Sequence, residues 1–217
     1  MQGFRNLLFY VGRGGLAIGL SLGLGVGTLP AMPSDVVSSQ SMKNLNAALN
    51  GERNAHARYL AFAQKADAEG YGSVASLFRA AAASEEVHGN SHERTIQKLR
   101  GTPEVQLETP VVKSTAENLQ ASISGESYEQ TEMYPSFITQ ARVDRCVPAI
   151  VTFENALRTE TEHAKFFAEA LKNLDTLKGS GPRTYYVCSV CGFTTTDLNF
   201  TKCQSCFKPK DRYKAVS

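Results

Sequence analysis

Apolar residues recur at three- and four-residue steps through four long segments of this chain, which is the period of a helix with one buried face. In the first segment Leu45, Ala48, Leu49, Ala55, Tyr59 and Phe62 form a stripe that stops at Gly70 and Gly72, predicting a helix over 42–69. A second helix is expected from a Ser73 N-cap through Leu77, Phe78, Ala81, Ile96 and Leu99, ending before Gly101-Thr-Pro. A connection rich in Pro, Thr and Val then leads to Ser114-Thr-Ala-Glu117, a capping-box start. Leu119, Ile123, Tyr134 and Ala141 continue the spacing in a third helix, which Pro135 should kink because proline removes a hydrogen bond and crowds the preceding turn. The fourth is expected from Cys146 to Leu177, with Pro148 in its first turn, and Gly179-Ser-Gly-Pro182 ends it. These stripes predict an all-α four-helix bundle over residues 41–178.

The polar residues that interrupt the stripes carry the chemistry. Glu52 stands 33 positions before Glu85, which is followed three residues later by His88; Glu126 stands 34 before Glu160, followed in the same way by His163. Residues i and i+3 share a helix face, so each Glu-x-x-His offers one carboxylate and one imidazole side by side. One such motif is ordinarily a solvated face. Two, each preceded by a glutamate at nearly the same interval, match four helices converging on a carboxylate-bridged pair of metals. His56 and His92, each four residues beyond a candidate ligand, are expected at the surface, and Glu86, Glu132, Glu162 and Glu169 in solvent or beside the ligands.

Beyond the bundle, Cys188-Ser-Val-Cys191 and Cys203-Gln-Ser-Cys206 are two C-x-x-C knuckles in a segment, residues 183–217, too short to build a core unaided. Disulfides or a redox pair are competing readings, but paired knuckles close a tetrahedral four-thiolate site well, for iron or zinc. Thiolate ligation favours the cytoplasm or another reducing compartment. The fifth cysteine, Cys146, is read as a small buried residue with no role. With 217 residues, 42% of them apolar, the chain can bury a real core. Its net charge of +2, with no run of Lys or Arg, speaks against nucleic acid as a partner.

Residues 1–40 read differently. No charge occurs from 14 to 34, Arg5 and Arg13 precede that stretch, and Asp35 is the first acidic residue. The apolar run from 16 to 29 has the length of a signal-peptide core and falls short of about 20 residues for a bilayer span. A targeting sequence, a membrane anchor with possible membrane contact, and a disordered tail all fit.

Gly51-Glu-Arg-Asn-Ala-His-Ala-Arg-Tyr59, Ser84-Glu-Glu-Val-His88, Gly125-Glu-Ser-Tyr-Glu-Gln-Thr-Glu-Met-Tyr-Pro135, Glu160-Thr-Glu-His163 and the cysteine knuckles, in that order, resemble the rubrerythrin family across residues 42–217. The resemblance implies a ferritin-like bundle with two non-haem irons and a C-terminal rubredoxin-like domain with one iron, or zinc. It further implies a homodimer that reduces hydrogen peroxide to water in oxidative-stress defence, fed through the rubredoxin-like centre by a reductase or rubredoxin. Carried over by residue, Glu85 and Glu160 bridge the irons, Glu52 and Glu126 are terminal ligands, and His163 holds one iron. His88 and Glu129 are alternatives for the other, and Tyr59 and Tyr134 orient ligand carboxylates. Glu129 has no counterpart in the first half, where Ala55 stands. A ferroxidase of the ferritin kind and a non-enzymatic electron carrier are the other function classes. One departure is Phe207, where such knuckles usually place the glycine that Gly192 supplies in the first.

Overall fold

In a computed structural model of the protein, residues 40–217 are described; the expectations for residues 1–39 lie outside them. Helices α1 (Gln40–Ala68) and α2 (Gly72–Lys98) form an antiparallel pair, and α3 (Thr115–Tyr128), α4 (Tyr134–Val143) and α5 (Val147–Lys172) complete the bundle. A single turn, α6 (Leu174–Leu177), follows, so the fourth expected helix breaks at Asn173 rather than running on to Leu177. The capping box forms as expected: Ser114 accepts from the Glu117 N–H while the Glu117 carboxylate accepts from Ser114. Ser73 is not the cap of α2. That position falls to Tyr71, and the Ser73 hydroxyl instead meets Ser180 at 2.8 Å, tying α2 to the chain leaving the bundle.

The third helix does not simply bend at Pro135. Glu129–Met133 form a π turn, in which the Tyr134 N–H reaches back five residues to the Glu129 carbonyl. Proline at 135 can donate nothing, and its ring needs room where the carbonyl of Thr131 would stand, so a widened turn just before it relieves both demands.

Between α2 and α3 the extended strap of residues 101–114 runs along α1. Asn46, Asn50 and Asn54 accept the backbone N–H groups of Glu104, Gln106 and Glu108 at 2.9, 2.7 and 2.8 Å. The match is geometric: four residues of helix rise about 6 Å and two extended residues rise about 6.6 Å, so each asparagine meets every second amide.

Two apolar layers fill the bundle. One surrounds Tyr59, Phe62, Phe78 and Phe167, with ring centroids 5.3 to 6.3 Å apart. The other surrounds Leu45, Leu49, Ile96, Tyr134 and Phe153. Cutting a buried phenylalanine such as Phe78 to alanine would cost about 3–5 kcal/mol. The C-terminal ribbon is a three-stranded antiparallel sheet of order β2-β1-β3, from β1 (Tyr185–Cys188), β2 (Thr194–Thr195) and β3 (Tyr213–Val216). Tyr185 and Val187 of β1 are buried in the same cluster as Phe78 and Phe167, so ribbon and bundle share a core. No helix among the described residues is long and apolar enough to cross a membrane.

Candidate metal centres

Between the two apolar layers lies a buried polar one. Glu52 from α1, Glu85 and His88 from α2, Glu126 from α3, and Glu160 and His163 from α5 project into it, all 2% exposed or less. Their donor atoms fall into two sets, Glu52–Glu85–His88–Glu160 and Glu85–Glu126–Glu160–His163, each with all atoms within 4.8 Å of one another. Glu85 and Glu160 belong to both. His88 Nδ1 lies 2.9 Å from one Glu85 oxygen and 3.0 Å from one Glu160 oxygen, and His163 Nδ1 lies 3.1 Å from the other oxygen of each. Each of these two carboxylates therefore turns one oxygen to each imidazole, the disposition that bridges two cations.

The protein atoms alone leave this layer unsatisfied. Glu52 Oε2, Glu85 Oε1, Glu126 Oε2, both Glu160 oxygens and His163 Nδ1 are buried without a hydrogen-bond partner. An unpartnered buried carboxylate is too costly to keep unless a cation or a proton accompanies it. Burial, and then the charges of Glu85 and Glu160, raise Glu52 well above the usual carboxylate range, and burial raises Glu126 to about 7. Bound cations would relieve the cost of burying these carboxylates, and the donor set of four carboxylates and two imidazoles suits two iron ions.

Neighbouring groups set the ligands' orientation. The Tyr59 hydroxyl of α1 hydrogen-bonds Glu126 of α3, and the Tyr134 hydroxyl of α4 hydrogen-bonds Glu52 of α1. The two halves thus tie each other's glutamates, Glu126 and Glu52, crosswise. Tyrosine follows glutamate by seven residues in the first half and by eight in the second. The π turn absorbs the extra residue, so both hydroxyls still face inward. Glu129, the first residue of that turn, is half-buried and lies outside both donor sets. Burial and the charges of Glu52, Glu126, Glu160 and Glu85 raise it strongly, which places its carboxyl in the field of the site.

His92 is not at the surface as expected. It is fully buried, with Nε2 3.1 Å from the Tyr134 hydroxyl and Nδ1 3.1 Å from Thr152 Oγ1, which lies 2.9 Å from Ser91 Oγ. Burial lowers its pKa to about 3, so it stays neutral. His56 is half-buried, its Nδ1 2.7 Å from the Ala82 carbonyl. Glu86, Glu132 and Glu169 are exposed, and Glu162 pairs with Lys165.

In the ribbon, Cys188, Cys191, Cys203 and Cys206 converge, with sulfurs 3.8 Å apart for Cys188–Cys206 and 3.6 Å for Cys191–Cys203. No disulfide forms. A metal with bonds of about 2.3 Å to four tetrahedral sulfurs needs edges of about 3.8 Å, so the cluster fits one four-thiolate ion. The two knuckles close alike: the Gly192 N–H bonds the Cys188 carbonyl and the Phe207 N–H the Cys203 carbonyl, at 2.9 and 3.0 Å. Phe207 adopts φ 58° to do so, beside φ 82° at Gly192.

The ribbon sits directly over the imidazoles. His88 Nε2 donates to the Cys191 carbonyl at 3.0 Å, which leaves Nδ1 free to ligate. Thr194 gives its only hydroxyl proton to the Gly192 carbonyl, so at 3.1 Å it accepts from His163 Nε2. Ser84 Oγ also donates to the Gly192 carbonyl, at 2.8 Å. Neither Ser84 nor Thr194 carried a signal in the sequence, since a hydroxyl facing a distant imidazole has no spacing rule.

The rubrerythrin family profile matches residues 43–171. The chain is 33% identical over 183 residues to nigerythrin of Nitratidesulfovibrio vulgaris, covering 84% of this chain and 89% of that protein. It is 36% identical to rubrerythrin-2 of Clostridium acetobutylicum, over 79% of this chain and 94% of that one. The solved structure of fully reduced, all-ferrous nigerythrin superposes with a TM-score of 0.73 at 32% identity, over 86% of this chain and 94% of the other. A Desulfovibrio desulfuricans bacterioferritin, with a TM-score of 0.63 at 20% identity over 70% and 94%, shares the bundle fold. With a di-iron carboxylate layer in a ferritin-like bundle, a rubredoxin-like four-cysteine centre and this similarity along most of its length, the chain belongs to the rubrerythrin family.

Proposed function

We propose that this protein is a non-haem di-iron peroxidase that reduces hydrogen peroxide to water, with electrons relayed through the four-cysteine centre, in oxidative-stress defence. One observation carries the reading: the Cys191 carbonyl, one bond chain from a metal-ligating sulfur, accepts from the His88 ring whose other nitrogen faces the di-iron layer. A bundle that only stored iron would have no use for a redox centre wired to its ligand. Two irons held by the carboxylate layer would supply the two electrons for O–O cleavage, and an iron held by the four cysteines would return electrons from an outside reductase or rubredoxin.

The residues have separable tasks. Glu85 and Glu160, shared by both donor sets, would hold both irons, Glu52 and Glu126 would each hold one, and His163 would complete one set. His88 and Glu129 are alternatives at the other, a neutral ring against a carboxylate, and a harder, more oxidised ion favours the carboxylate. Reduction of one peroxide to two waters consumes two electrons and two protons. Ser91, Thr152, His92 and Tyr134 form a hydrogen-bonded line that ends on Glu52, with Thr152 donating to Ser91, Tyr134 donating to Glu52 and the His92 ring between the two hydroxyls; turning the Thr152 hydroxyl toward His92 Nδ1 would let the line pass a proton inward to Glu52.

Anaerobic oxidation of the iron-loaded, fully reduced protein tests the reading. Faster oxidation by hydrogen peroxide than by equal oxygen, with the ribbon iron reoxidised afterwards, is expected; a preference for oxygen would turn it into a ferroxidase. Glu129→Ala should retain iron and lose peroxide turnover by about tenfold or more, and undiminished turnover would remove Glu129 from the mechanism.

A further inference from the structure

At one end of the bundle the first turn of α1, the last turns of α2 and α4 and the start of α5 meet. Ser41 gives both its N–H and its hydroxyl to Asp144 there, at 2.8 and 2.6 Å, and a groove is lined jointly by Arg94, Lys98, Val147 and Val151. Val143, Val147 and Val151 are 71, 63 and 54% exposed, the last two one helical turn apart on α5. Such an outward valine pair contributes little to the core, and an exposed apolar patch rimmed by charge marks an interaction surface.

The rim is basic. Lys43, Arg94, Lys98, Arg100, Arg142 and Arg145 are all exposed at this end. The acidic groups among them are mostly engaged. Glu93 pairs with Arg53 at 2.7 Å, Glu154 with Arg142 at 2.9 Å and Arg158 at 3.4 Å, and Asp144 accepts from Ser41 and Gln140, leaving Glu104 beside Lys43. Arg100 and Arg145 close the two turns here with φ of 61° and 53°, a backbone that glycine would adopt without strain. Long cationic side chains stand in both places where the backbone asks for glycine. The chain also enters the described fold at this end, through Gln40, and in the sequence leading to it residues 14–34 carry no charge.

We propose that this end of the bundle docks on an anionic lipid surface, the valines entering the headgroup boundary and the basic side chains meeting lipid phosphates. The combination of a few apolar side chains with surrounding cations is the chemistry of interfacial attachment. A second copy presenting the same end would bring like charges together, which disfavours a symmetric self-contact.

Co-sedimentation of the full chain with vesicles tests this. Binding to vesicles containing phosphatidylglycerol, release at high salt, and little binding to pure phosphatidylcholine are expected. Each basic side chain near an anionic surface is worth roughly fivefold in partitioning, so Lys98→Glu with Arg145→Glu should weaken binding by more than about tenfold. Lys172→Glu, an exposed lysine at the other end of α5, should leave it unchanged, and metal content should be unaltered in all. Val147→Asp should also weaken binding, and retained metal shows that the bundle is intact. Three results would overturn the proposal: no association of the wild-type chain with anionic vesicles, equal binding by the charge-reversed variant, or a Val147→Asp variant that changes oligomeric state while binding vesicles normally.

Discussion

The second cysteine knuckle imposes a left-handed backbone on a bulky residue. Phe207 holds φ 58° with its ring 72% exposed, so it takes the left-handed strain without packing in return. Phe207→Gly should stabilise the metal-loaded ribbon by about 1–2 kcal/mol, read as resistance to chelator and a higher Tm, and an unchanged melt would show that no strain is stored there. His92 works at the same scale with the opposite environment. Its replacement in His92→Leu fills the buried space but breaks the line from Ser91 to Glu52, so iron content should persist while the peroxide reaction slows by about tenfold or more. A reaction as fast as wild type would mean that protons arrive by another route.

Between elements, carboxylates satisfy helix ends that their own sequences leave open. Glu69, just beyond α1, accepts the Thr115 N–H at the start of α3 at 2.9 Å and pairs with Lys65 at 3.0 Å. Thr115 first, and Lys65 after it, hold its carboxyl down at about 2. A depressed folded-state pKa contributes stability that is full above the ordinary carboxylate range and is lost as pH falls through about 2. Glu69→Gln should therefore cost about 1 kcal/mol near neutrality, the partial solvent exposure discounting the rest, with the gap to wild type closing between about pH 4.5 and 2. Denaturant titrations at several pH values measure this, and a gap independent of pH would contradict it. The asparagine ladder shows the same economy: three side chains on one helix face hold an extended strap that has no sheet to join.

At the scale of the molecule, the contact between ribbon and bundle is set by one missing side chain. A Cβ at Gly192 would stand 2.3 Å from His88 Nε2 and 2.8 Å from Ser84 Oγ. In addition, φ 82° there strongly favours glycine. Gly192→Ala should leave the two centres able to load metal but push the ribbon off α2, breaking the Cys191–His88 bond. Electron transfer from ribbon to bundle, followed by rapid-mixing absorbance, should then slow by at least about tenfold. Transfer at the wild-type rate would mean that this contact does not carry the electrons.

Helical periodicity, the doubled Glu-x-x-His and the paired C-x-x-C knuckles are local patterns, and local patterns settle what is near in sequence: the bundle, its inward faces and the four-thiolate cluster all follow from spacing. Ser73, Pro135 and His92 show where spacing ends. Ser73 is a sound N-cap by composition, but the helix begins earlier because Ser180, far along the chain, takes its hydroxyl. Pro135 announces a disturbance, while only the folded chain shows that it takes the form of a π turn and that both tyrosine hydroxyls still meet carboxylates across the bundle. His92 lies on the same helix face as His88, yet whether that position meets solvent or Tyr134 is decided by the packing of α4 and α5. The seat of the ribbon over His88 and His163 belongs wholly to the tertiary structure, because it rests on carbonyls and hydroxyls that any sequence can offer and only the folded chain brings together.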